Sequence, residues 1–146
     1  MLDGGVHFTA GLRLLLGTDH IRRLSAYTTQ LQDHLPPVDT VDATLRTKSG
    51  VTGTISISFG TTMTAGEWTV ACEGGTVTVS RGLVVTVVDG KEDKKDFPDE
   101  GSGVAAEVRK WGEAIAAGTS NERQRPEEAL ADLELVSNVF VHPRCH

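Results

Sequence analysis

The sequence predicts an α+β fold: a mostly antiparallel, open β-sheet with helices packed on one face. Three observations predict it. The chain opens with an apolar segment of helical period. It continues through short segments of period-two alternation divided by glycine-containing turns. It ends with two more segments of helical period. Its 146 residues fit one domain, 1–146, long enough to bury a core, with residues 141–146 as a frayed tail.

The first helix is expected from about Gly5 to Leu16. Phe8, Leu12 and Leu15 make one stripe, His7, Gly11 and Leu14 lie beside it, and Gly17 is suited to stop it. Ile21 to Thr29 reads as a strand, followed by a loop through Pro36-Pro37. Val41, Ala43 and Leu45 then face one way and Asp42, Thr44 and Arg46 the other. After a turn at Lys48-Ser49-Gly50, Val51, Ile55, Ile57 and Phe59 share a face opposite Thr52, Thr54, Ser56 and Ser58. Trp68–Cys72, Thr76–Ser80 and Leu83–Val88 continue as an antiparallel meander, separated by Glu73-Gly74-Gly75, Arg81-Gly82 and Asp89-Gly90. Cys72 alternates with Val70 and Trp68 and reads as core.

Lys91 to Asp96 is a solvated edge or loop, because its charges are mixed in sign. Val104, Val108, Trp111 and Ile115 repeat at helical spacing up to Gly118, and at that spacing Trp111 is expected to pack in a core. The last helix starts at Pro126, with Glu127 and Glu128 at its positive end and Leu130, Leu133, Val136 and Phe140 as its apolar positions.

Composition excludes several function classes. A net charge of −6 lacks the basic footprint that a nucleic-acid partner requires. No apolar run reaches the length of a membrane span, and no signal peptide is expected. Two cysteines, Cys72 and Cys145, make no disulfide framework, so a cytoplasmic location is the expectation. His142, Cys145 and His146 sit in the terminal tail without a further ligand cluster, so no metal site is expected. His20 and His34 have no evident partner, and no Gly-x-Ser-x-Gly elbow supports a serine hydrolase.

The opening Asp3-Gly4-Gly5-Val6-His7 carries the chemistry. Asp3 and His7 are four apart, so a helix presents them on one face. An imidazole can give or take a proton near neutral pH, and a carboxylate can orient it. The structural roles open to the same residues are an N-cap or pre-helix acid at Asp3 and a capping, packed or exposed His7.

This motif, continued by Leu12-Arg13-Leu14-Leu15-Leu16-Gly17, resembles the start of the second domain in the glucose–fructose oxidoreductase / inositol dehydrogenase / MocA (Gfo/Idh/MocA) family. The resemblance extends from Asp3 to about Phe140. It implies that His7 lies beside the substrate and the nicotinamide ring. With a Lys of the nucleotide-binding domain, His7 would move a hydroxyl proton as hydride passes to or from NAD or NADP, while Asp3 holds the site. Gly5, Phe8 and Gly11 would line the substrate.

The partner Lys belongs to a Glu-Lys-Pro triplet that this sequence lacks. Ala10 stands where the motif often has a second Asp, and no Gly-x-Gly-x-x-Gly follows a strand. The chain is therefore expected to be a substrate-binding and oligomerisation domain without its Rossmann half, holding no cofactor alone and not redox-active alone. The substrate would be a sugar, polyol or dihydrodiol-like small molecule, and the partner a second copy meeting it as a homodimer through the exposed sheet face. The alternatives are a stand-alone, cofactor-independent isomerase, dehydratase or cyclase, a small-molecule-binding protein reusing the pocket, or a dimerisation module. For a stand-alone catalyst, Asp19–Gln32 and Phe59–Glu67 are the candidate covers.

Overall fold

The computed structural model describes residues 2–64, 66–98, 101 and 103–141, with side chains from residue 4 to residue 138. Helix α1 is Leu2–Leu16, three residues longer at its start than the sequence predicts. Strands β1 (Ile21–Thr29), β2 (Thr40–Thr47) and β3 (Thr52–Ser58) follow, then β4 (Glu67–Cys72), β5 (Gly75–Ser80), β6 (Leu83–Val88) and β7 (Lys91–Asp96). Helix α2 is Val104–Ala116, a 3₁₀ turn covers Glu122–Gln124, and helix α3 is Pro126–Val141.

The fold class is the expected one, α+β with antiparallel strands, but the strands divide between two sheets. One is β1-β2-β3 and the other β4-β5-β6-β7. The chain correspondingly forms two compact units, Met1–Thr64 with Ala129–His146, and Ala65–Glu128.

In the first unit the alternation of β2 is complete. Val41, Ala43, Leu45 and Thr47 are buried, while Asp42, Thr44 and Arg46 are exposed. Antiparallel partners share a face, so Ala26 beside Ala43 and Ile57 beside Val41 extend the buried side across the sheet. Ala26, Val41, Ala43, Ile57 and Leu135 form the core cluster, and Phe8 and Leu12 of α1 pack against it. Helices α1 and α3 therefore cover one face. They are also tied by an ion pair between Arg13 and Asp132. The other face carries hydroxyls and charges, with Tyr27 78% exposed.

The second unit is a four-stranded meander. Asp89 and Gly90 both have positive φ, 50° and 72°, as a tight two-residue hairpin turn requires. Lys91–Asp96 is indeed a solvated edge, in the form of a fully exposed strand. Two core assignments fail here. Cys72 is exposed. Trp111 is 58% exposed, and Val104, Val108 and Ile115 with it are all more than half exposed. Helical spacing correctly puts these four on one face, but spacing carries no information on what that face meets.

Ile57→Ala empties part of the first unit's core and should cost about 2–5 kcal/mol. Val108→Ala on the exposed stripe should stay within about 0.5 kcal/mol. Urea denaturation of the two variants checks the contrast.

Candidate functional site

Helix α1 carries the motif, and it places the motif residues in different surroundings. Gly5 is buried, Phe8 packs on the core, Gly11 is half-buried and His7 is exposed. The His7 side chain makes no hydrogen bond to the described residues. Asp3 falls in the first turn of the helix rather than ahead of it, and its side chain lies outside the described residues. The tail histidines and Cys145 also lie outside them. His20 and His34 are exposed at other points of the unit.

Glycine in a helix forfeits about 1 kcal/mol relative to alanine. Gly4 has a visible reason for it. A Cβ there would lie 2.5 Å from Cζ and 2.8 Å from Cε1 of Phe59, so the outer edge of the phenyl ring abuts bare helix backbone. Residues i, i+3 and i+4 share a helix face. Phe59 therefore caps the strip between core-facing Phe8 and solvent-facing His7, and 42% of it stays exposed.

The backbone that presents Phe59 is fixed by Asp39, a residue outside the motif. Asp39 is 2% exposed, one of three polar or charged residues found buried among those described. Its Oδ1 accepts from the Leu31 amide at 3.1 Å and the Thr40 hydroxyl at 2.9 Å. Its Oδ2 accepts from the amides of Leu31 at 3.0 Å and Gln32 at 2.8 Å. The Asp39 carbonyl accepts from the Phe59 amide at 2.9 Å, and the Gln32 side-chain amide donates to the Gly60 carbonyl at 3.0 Å. A Cβ on Gly60 would sit 2.7 Å from the Asp39 carboxylate. The loop after β1, the start of β2 and the turn after β3 thus converge on one carboxylate. Burial pushes the Asp39 carboxyl up, and the amide and hydroxyl donors outweigh it, leaving the group below its ordinary value.

Val38, next to Asp39, has φ of +61°, which a β-branched residue adopts only under constraint. Such strain, of order 1–3 kcal/mol, persists where the surroundings over-determine the backbone, as they do here.

The broad groove of this unit lies elsewhere. His20, Arg23, Thr44, Arg46 and Asn138 are among its lining residues, and His7, Phe8 and Gly11 are not. Asp19–Gln32, a candidate cover by sequence, is mostly strand β1. His7 is thus presented on an open surface beside a half-exposed ring.

The family model of the GFO/IDH/MocA C-terminal domain matches residues 1–78. The chain belongs to that family. It is 32% identical to the dehydrogenase FPY6 of Fusarium mangiferae over 99% of its own length and 44% of that protein's. An oxidoreductase from Thermotoga maritima superposes with a TM-score of 0.80 at 25% identity, over 97% of this chain and 41% of that one. An oxidoreductase from Agrobacterium radiobacter, solved with NAD+, L-tartaric acid and magnesium, superposes with a TM-score of 0.77 at 18% identity, over 95% and 45%. The chain spans less than half the length of each. It is a C-terminal domain of the Gfo/Idh/MocA oxidoreductases.

The described residues do not fit a dinucleotide. Every described strand pair is antiparallel, and Gly74 lies in the hairpin turn between β4 and β5 rather than between a strand and a helix.

Gly60→Ala drives a methyl into the hydrogen-bonded carboxylate and should destabilise the chain by about 1–3 kcal/mol. Val38→Asn, better suited to positive φ, should act with opposite sign, by about 1 kcal/mol. Thermal unfolding gives both. The carboxyls of Asp39 and Asp19, the latter held down chiefly by the Ser49 hydroxyl, both lie below their ordinary value. Each contribution is full above the ordinary carboxylate range and is lost as pH falls through the lower, folded value. Unfolding midpoints should therefore fall as pH drops below the ordinary carboxylate range, and Asp39→Asn should flatten that dependence.

Proposed function

We propose that this chain is the substrate-binding half of an NAD(P)-dependent oxidoreductase acting on a sugar, polyol or dihydrodiol-like molecule. In this reading it is inactive in redox chemistry alone and pairs with a second copy through the polar face of β1-β2-β3. The observation that carries it is the half-open site: an exposed imidazole on the family's opening helix, beside a half-exposed ring, with no dinucleotide cradle in the described residues. Supporting it, FPY6 is a dehydrogenase by name, and the Agrobacterium structure contains NAD+ and a hydroxy acid. The exposed α2 stripe of Val104, Val108, Trp111 and Ile115 is also what a domain built to meet another protein surface would present.

In this role His7 holds or takes the proton of the substrate hydroxyl, and Asp3, one turn earlier, keeps the imidazole oriented. The nicotinamide, bound by a nucleotide-binding domain, would supply hydride acceptance or donation. Phe8 and Gly5 support the helix from its packed side.

The isolated chain should show no saturable binding of NADH or NADPH at micromolar cofactor by fluorescence titration. Joined to the part of the Fusarium relative that this chain does not cover, it should oxidise or reduce a sugar or polyol. His7→Ala should then lower kcat by about 10²–10⁴. Full activity in the His7→Ala fusion would remove His7 from the chemistry, and tight cofactor binding by the isolated chain would overturn the two-domain reading.

A further inference from the structure

We propose that Phe59 is a ligand-contacting residue of this site, forming an apolar wall beside His7 that takes the C–H face of a cyclic polyhydroxylated molecule. The proposal rests on the functional reading above and adds to it a specificity-determining residue outside the motif.

Three observations on different segments converge on Phe59. Its ring sits against Gly4, where any side chain would collide with it, so the helix has a gap in the motif itself that only the ring fills. The ring is nonetheless 42% exposed, where Ile55 and Ile57 on the same alternating face are half-buried and buried and Val51 at the far end is 54% exposed. A side chain recruited only to seal the core would end like Ile57. The backbone under the ring is held far more firmly than an exposed loop needs. The Phe59 amide is bonded to Asp39, Gly60 is pressed on the Asp39 carboxylate, and the strained Val38 lies next to it. Strain locked in by a buried polar network is characteristic of ligand clamps.

The chemistry of the pair then selects the ligand. An imidazole offers a proton donor or acceptor, and a phenyl ring on a held backbone one turn away offers dispersion and a weakly negative surface. A pyranose or cyclitol ring carries both complements, hydroxyls at its rim and polarised C–H bonds on its face. Sites for small molecules combine an apolar wall with few, well-placed polar groups in this way. An acyclic polyol has the hydroxyls without a fixed C–H face, so the wall favours rings.

The experiment is an amide-resolved NMR titration of the whole chain with glucose, myo-inositol and sorbitol, in wild type and four variants. Saturable shifts at Gly4, His7 and Gly60 are expected, with a ring probe bound more tightly than sorbitol. Phe59→Ala should weaken binding about tenfold, while Phe59→Trp should retain it. Gly4→Ala is the sharper variant. It favours the helix, so it should keep or raise the unfolding temperature, yet it displaces the ring and should weaken binding as much as Phe59→Ala. His7→Ala should weaken all three probes alike and leave the preference for rings. Wild-type affinity in both Phe59→Ala and Gly4→Ala would overturn the assignment of Phe59 while leaving the sugar or polyol reading intact. Absence of saturable binding of any probe to the wild type would overturn that reading and the wall with it.

Discussion

The arrangement of the first unit depends on one buried carboxylate. Removing a charge from water is costly unless its lone pairs are occupied, and Asp39 meets that condition with donors from Leu31, Gln32 and Thr40. The compensation is geometric as well as energetic. Leu31 and Asp39 are eight positions apart, and Gln32 and Gly60 are 28 apart. Satisfying one charge therefore fixes the end of the loop after β1 and the entry to β2, and the Asp39 carbonyl and the Gln32 side chain then hold the exit from β3. It also explains two local departures from ordinary preference, a valine with positive φ and a glycine that cannot accept a methyl group.

A second carboxylate, Asp19, closes another corner of the same sheet. It accepts from the amide and hydroxyl of Ser49 and so ties the start of β1 to the turn between β2 and β3. Helix α1 runs about 22 Å at 1.5 Å per residue, comparable to the length of the strands beneath it. Its Gly4 meets the turn fixed by Asp39, and beyond its other end Asp19 follows the stop at Gly17. The helix is thus seated on a sheet braced at two corners. Of its residues, Phe8 and Leu12 spend their apolar surface on that seat, which leaves His7 turned away from it.

Much of this was legible in the sequence because period and side-chain direction are local properties. Ile21–Thr29 was read to its ends, and the alternation from Val41 to Leu45 gave the buried face of β2. Pro126 and Gly17 marked helix ends for stereochemical reasons that need no tertiary contact. The failures are all failures of partnership. The stripe through Trp111 has the right period and faces solvent. Cys72 alternates correctly on a strand whose residues are nearly all exposed. The division into two sheets is a question of which strands pair, and alternation is silent on that. Phe59 shares the alternating face of Ile55 and Ile57 in the sequence, yet it leaves the series where β3 ends at Ser58. Asp39 carried no local sign beyond standing between a proline-rich loop and a strand, and its role appears only when residues up to 28 positions apart are brought together.

A glycine inside a helix is a concession, and the motif makes it twice in succession. For Gly5 burial is sufficient reason, since the position lies against the packed interior. For Gly4 the reason is a neighbour from another segment, because the clash is with the outer edge of a phenyl ring that could have turned elsewhere. A ring that merely needed a home could have moved; a helix position that merely needed a residue could have held alanine, at a gain of about 1 kcal/mol. That neither happened means that the joint placement of ring and helix matters more than the stability of either. The joint placement sets an aromatic face one helical turn from an exposed imidazole. Within this unit it is the point where the motif's Gly4 meets the turn held by Asp39.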